Sequence, residues 1–217
     1  MRKHSKEFLE NLTPQQAYEI LVEGNKRFVN NLNSDHDHLE VINQTRDGQY
    51  PFAVILSCMD SRTSVELIFD QGLGDLFSIR IAGNIVNDDI IASIEYAVKY
   101  VGSKLLVVLG HTECGAIKSA KKGVTDGHIT GLLKRITPAI SKAMLIDEEH
   151  KCNDKVAYAN VENSLEEILH QSDIVREMFS TGQIGLVGGV YDIENGEVDF
   201  FKNLTKAKKE QKKLATI

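Results

Sequence analysis

Apolar residues gather in four short runs of strand length: 52–57, 76–81, 105–109 and 184–190. They are rich in Val, Ile and Leu, as expected of strands in a sheet covered on both faces. Between and around them apolar positions recur with helical spacing, over 63–70, 88–101, 114–121, 129–146 and 158–180. Earlier, Ala17, Ile20, Leu21 and Phe28 share one side of a helix over 14–31, with Thr13 placed to cap it and Pro14 at its first position. Residues 32–50 are polar and read as irregular. Strands alternating with helices predict an α/β fold, a mostly parallel sheet flanked by helices on both faces. Near the end, Asn195-Gly196 supplies a hairpin turn, after which 197–201 return antiparallel.

At 217 residues the chain has the size of one domain with a proper core. Residues 1–217 are read as a single unit, with 1–45 as an N-terminal helical arm and 202–217 as a Lys-rich, solvated tail. Apolar residues make up 42% and charged residues 26%, near the average for soluble proteins, which excludes collagen-like and disordered classes. A net charge of -6 argues against a general nucleic-acid binder. No apolar run approaches the ~20 residues needed to cross a bilayer, so no membrane is expected. The basic start lacks the apolar stretch of a secretory signal. A cytoplasmic enzyme is the expectation.

The three cysteines, Cys58, Cys114 and Cys152, are an odd number with no secretory signal, which makes a disulfide framework a poor reading. Two of them stand in segments that follow predicted strands: Cys58-Met59-Asp60-Ser61-Arg62 and Gly110-His111-Thr112-Glu113-Cys114-Gly115. Ligands of open parallel sheets bind at the carboxyl ends of strands. If the first and third strands are neighbours, Cys58, His111 and Cys114 converge as a Cys₂His set with a fourth position left over, the pattern of a catalytic zinc site. Asp60 and Arg62 beside it are spaced to form a bidentate pair. Alternatives stay open on spacing alone. Cys58 could be a small buried hydrophobe, the zinc could be structural, or a cysteine could act as nucleophile. A cysteine phosphatase loop is excluded, because Ser64 stands where its arginine belongs. Gly72-Leu73-Gly74 lacks the third glycine of a dinucleotide loop.

These two segments resemble the signatures of the β-class carbonic anhydrases, Cys-x-Asp-x-Arg and His-x-x-Cys-Gly. Residues 80–84, 93–98, 107–111 and the opening helix around 21–28 are also similar, so the resemblance runs from about residue 14 to 201. It implies one Zn²⁺ per chain, bound by Cys58, His111 and Cys114. The reaction it implies is reversible hydration of CO₂ to bicarbonate by attack of zinc-bound hydroxide. Asp60 and Arg62 are implied as the catalytic dyad, the aspartate accepting a hydrogen bond from that hydroxide or entering as fourth ligand. The family has two pocket types. Gln49, nine residues before Cys58, with Phe77 and Tyr96, matches the non-allosteric one; the other needs Trp where Ile55 stands, and the chain has no Trp. Ala82 and Gly115 complete the implied substrate-binding set.

The implied sheet order is 2-1-3-4 plus an antiparallel C-terminal edge strand. The implied assembly is a homodimer or dimer of dimers, with the apolar face of 17–28 packed on a neighbour. Met59, Thr63 and Ile81 depart from the commoner family residues without touching a proposed ligand. Cys152 matches no family motif, and His128 reads as a surface histidine at a helix start. Two other functions share the same residues: hydrolysis of carbonyl sulfide or carbon disulfide on the same zinc, and a non-catalytic zinc clip. The second has no use for the Asp60–Arg62 pair.

Overall fold

In the computed structural model, described here for residues 5–34, 37–146 and 153–205, the four apolar runs become β1 (Ala53–Ser57), β2 (Leu76–Arg80), β3 (Leu105–His111) and β4 (Gly185–Tyr191). They pair in parallel, and β5 (Val198–Asn203) closes the edge antiparallel to β4, giving the order β2-β1-β3-β4-β5. This is the expected topology, with β5 extending to Asn203. Strand alternation then splits the interior in two. Val54, Leu56, Leu106 and Val108 point to one face, and Ala53, Ile55, Leu105, Val107 and Leu109 to the other; all are buried. Each side chain so buried contributes on the order of 1.5–3 kcal/mol. The N-terminal elements and the short helix α4 (Val65–Ile68) cover the second face, and the later helices cover the first.

Helix boundaries depart from the sequence pattern where capping competes with periodicity. The region 158–180 is two helices, α9 (Asn153–Gln171) and α10 (Asp173–Ser180), because Ser172 turns out of the helix and accepts from the Val175 N–H. The 88–101 helix is α5 (Asp88–Glu95) continuing into a wider π turn over Tyr96–Val101 that stops at Gly102. The 114–121 pattern is α6 (Gly115–Lys121), and 129–146 divides into α7 (Ile129–Lys134) and α8 (Thr137–Ile146). Residues 38–45, read as irregular, form α3, capped by the Asp37 carboxylate. Its Leu39 and Ile42 are exposed, so no buried stripe marked it. A further short helix, α1 (Lys6–Asn11), also went unread.

Helix α2 (Pro14–Val29) has the expected Thr13 cap, made into a capping box by Gln16. Its apolar face is the main correction. It was expected to lie open for a neighbouring subunit, yet Ala17 and Leu21 are fully buried in the chain's own second core. Gly24 allows that approach: a Cβ there would stand 1.8 Å from the Phe69 carbonyl oxygen. Asn25 then donates to the Ile68 and Gly196 carbonyls and accepts from the Val198 N–H, tying helix, α4 and hairpin together. Buried Asp70 accepts from Arg27 and from the backbone and hydroxyl of Ser34. Most of the Lys-rich tail, residues 206–217, and Cys152 lie outside the described residues. Among the described residues no helix is long and apolar enough to cross a membrane.

Candidate metal centre

Because β1 and β3 are neighbours in register, the residues just beyond Ser57 and Leu109 meet at one end of the sheet. There Cys58, His111 and Cys114 each offer a ligand atom, all within 4.8 Å of one another, and all three residues are buried. His111 ends β3, and its Nδ1 lies 2.8 Å from the Thr112 carbonyl, so Nδ1 carries the proton and donates. In the neutral ring the lone pair is then on Nε2. It is buried with no hydrogen-bond partner, so its lone pair is free for a metal ion. Two soft sulfurs and one imidazole nitrogen around that lone pair fit Zn²⁺, and three protein ligands leave a position for substrate or water.

The two sulfurs behave as a pair. The Cys114 thiol, the neighbouring His111 ring and the Gly83 N–H, 3.4 Å from the sulfur, together outweigh burial and bring the Cys58 pKa down. The Cys58 sulfur beside it, then burial, pushes the Cys114 thiol up. One negative charge on the pair is therefore easier to form than two, and a bound cation would invert that preference. Cys114 immediately precedes α6, so the Ala116 and Ile117 N–H groups face its sulfur and favour that second charge.

Asp60 and Arg62 form the expected fork, with Nε to Oδ1 at 2.9 Å and Nη2 to Oδ2 at 2.8 Å. Arg62 holds the Asp60 carboxyl well below the usual carboxylate range. Asp60 Oδ2 lies 4.0 Å from the orphaned His111 Nε2, so the carboxylate borders the ligand triangle. The loop carrying them is fastened from below. Arg80, at the end of β2, donates to the Cys58 and Asp60 carbonyls, and the buried Thr63 hydroxyl reaches the same two oxygens. Ala82 and Gly115 lie at this end too, and a Cβ at Gly115 would meet nothing within 4 Å. His128 is exposed at the start of α7.

Gln49, Phe77 and Tyr96 do not join this cluster within one chain. Phe77 pairs with Val54, four residues before Cys58, about 13 Å down the sheet at ~3.3 Å per residue. Tyr96 packs edge-on against Phe77, with ring centroids 6.4 Å apart, and stacks on Tyr100. Gln49 is exposed beyond the amino end of β1, lining a shallow cleft with Tyr96 and Tyr100. Sequence reasoning missed Arg80 and Gly83 as supports of the metal loop, although both stand in a family-like stretch. It missed Asn160 and Ser164 on α9 altogether. The one available signal was an asparagine at a helix interior position, where propensity disfavours it.

The carbonic anhydrase family profile matches residues 53–198, which span the whole sheet up to the first residue of β5. The chain is 34% identical over 191 residues to carbonic anhydrase 2 of Mycobacterium tuberculosis, covering 86% of this chain and 92% of that one. The solved structure of the β-carbonic anhydrase CcaA is similar at 29% identity and a TM-score of 0.67, covering 83% of this chain and 86% of that one. The β-carbonic anhydrase CafA of Aspergillus fumigatus shares the fold at 22% identity and a TM-score of 0.72, over 92% of this chain and 97% of its own. Sequence profile, relative and fold coincide on the strands that carry the ligand triangle, and the chain belongs to the β-class carbonic anhydrases.

Proposed function

We propose that this enzyme interconverts CO₂ and bicarbonate on one zinc ion held by Cys58, His111 and Cys114. The observation that carries the reading is the Asp60–Arg62 fork, with Asp60 Oδ2 4.0 Å from His111 Nε2. A purely structural metal would gain nothing from an ionised carboxylate clamped at its border. Zinc supplies Lewis acidity there, enough to make a hydroxide available near neutral pH. Asp60, ionised and therefore acceptor-only, accepts the hydrogen bond of the attacking water at Oδ2 and so aims its lone pair. Arg62 keeps that carboxylate from turning toward the ligands itself, by holding both oxygens. Ala82 and the open space at Gly115 leave room for an apolar linear substrate beside the ligands.

Gln49, Phe77 and Tyr96 serve the centre of a second copy of the chain. Their side chains are stranded at the far end of their own β1 and β2, and Tyr96 and Tyr100 are largely exposed. In that second site Gln49 donates to a substrate oxygen while the two rings exclude water. The test is stopped-flow CO₂ hydration with metal analysis, on the same preparation, at several protein concentrations. One zinc per chain with rapid hydration supports the reading. Zinc without hydration, or faster turnover of carbonyl sulfide than of CO₂, overturns it.

A further inference from the structure

The Gly83–Asn84 turn is held against the metal centre by two side chains of α9. Gly83 and Asn84 both adopt left-handed backbone, with φ of 68° and 43°, and both are buried. The turn lies beyond the end of β2, outside the sheet ladder, so its carbonyls need partners from elsewhere. Asn160 Nδ2 donates to the Gly83 carbonyl at 2.7 Å, and one turn later Ser164 Oγ donates to the Asn84 carbonyl at 3.0 Å. Asn160 and Ser164 are themselves 2% and 4% exposed, so these bonds have no competitor in water. On its other side Gly83 turns its N–H to Cys58 Sγ, 3.4 Å away. A side chain at Gly83 would be strained as well, since its φ of 68° suits glycine and its Cβ would press on Ile136 Cδ1 and Ala116 Cβ.

We propose that Asn160 is a positioning residue of the metal centre, acting through the Gly83 turn to keep an N–H on the Cys58 sulfur. The inference rests on the ligand reading above and goes beyond it. A hydrogen bond to a ligating thiolate withdraws electron density from the sulfur, so the metal keeps more of its Lewis acidity. Without the Asn160 amide, the Gly83 carbonyl is buried unpaired. The turn then rotates to find water or another donor, and its N–H leaves the sulfur. Ser164 holds the following carbonyl and acts in the same direction more weakly, because Asn84 is one residue further from the sulfur.

Cobalt(II) in place of zinc gives a readout independent of activity, the sulfur-to-metal charge-transfer absorption. Asn160→Asp keeps the side-chain size but sets an acceptor against the Gly83 carbonyl. Its charge-transfer band should move to longer wavelength, as an electron-richer thiolate requires. Its metal affinity, from chelator competition, should fall about tenfold or more, the usual scale for an outer hydrogen-bond partner. Ser164→Ala should show a smaller shift of the same sign, and it keeps the test alive if Asn160→Asp folds poorly. Val161→Ala is the control. Val161 is fully buried on the same helix but packs toward Gly110 and Gly188 of the sheet, so it should lower thermal stability and leave band and affinity alone. An unshifted band and unchanged affinity in both Asn160→Asp and Ser164→Ala would overturn the proposal. So would a Val161→Ala shift as large as theirs. A wild-type chain that takes up no cobalt would fell the ligand reading itself, and this inference with it.

Discussion

The carboxyl end of β1 and β3 and the flank formed by β2 and the π turn differ in how much of their surroundings the chain supplies. At the first, all three ligand residues are buried; Arg80 and Gly83 tie the Cys58 loop, and Tyr191 and Ile193 tie the His111–Cys114 loop through Thr112. At the second, aromatic rings stack on one another with more than half of Tyr96 and Tyr100 still exposed. One region brings its ligand residues together within a single chain; the other, on the reading proposed above, serves a second copy. Rigid, buried support suits ligands that must keep their geometry whether or not a partner is present. Residues that meet the substrate rather than the metal can be lent to a neighbour, because assembly would bring their polar contact and their exclusion of water together.

The largest effect should come from breaking the first region. Cys114→Ala removes a ligand and opens the pocket, so bound zinc and CO₂ hydration should both fall to background; atomic absorption and stopped-flow assay check this. Retention of one zinc per chain with normal activity would contradict the ligand assignment. Next in size are the two regions taken one at a time. Asp60→Asn and Gln49→Ala should each cost roughly 10²–10³ in hydration rate, the scale for one oriented polar contact to the reacting atoms. Co-expression of the two variants sharpens the comparison. If Gln49 serves the other copy, random pairing yields one intact site in mixed dimers and restores about a quarter of wild-type activity. If it serves its own chain, mixing restores nothing.

Arg62→Ala should cost about 10- to 100-fold, the scale for losing a partner that orients a group beside the metal. Because Arg62 holds the Asp60 carboxyl below its usual range, that carboxyl stays ionised throughout pH 6–9. The wild-type rate should nonetheless climb on the alkaline side, since two thiolates leave the metal a weaker acidifier of water than three neutral imidazoles do. A rate profile already flat at pH 6.5 would contradict this. The smallest effect belongs to the arm. Burial raises the Asp70 pKa, but Arg27 and Ser34 together outweigh it and bring it below the ordinary value. A depressed carboxylate contributes stability that is present above the unfolded pKa of about 3.9 and lost as pH falls through the folded one. Asp70→Asn should therefore lower stability by about 2 kcal/mol near pH 7. It should also narrow the gap to wild type below about pH 4, as thermal melts across pH can show.

Runs rich in Val, Ile and Leu determined the central strands β1, β3 and β4, because only doubly covered strands bury such sequences, and the Asn195-Gly196 turn determined the return of β5. The spacing of Cys58, Asp60 and Arg62 likewise determined the fork, since residues two apart on a tight loop meet without help from elsewhere. Helix ends were less legible, as at Ser172, where a single side-chain cap outweighed a run of apolar residues that continued past it. Tertiary structure alone decided three things: that α2 spends its apolar face on its own sheet, that Gln49, Phe77 and Tyr96 stand away from their own ligand triangle, and that Asn160 reaches Gly83. Each joins residues far apart in sequence or places them at opposite ends of one strand. Periodicity reports which face a residue occupies, and which end of the sheet or which distant carbonyl it meets depends on register and packing that no local pattern encodes.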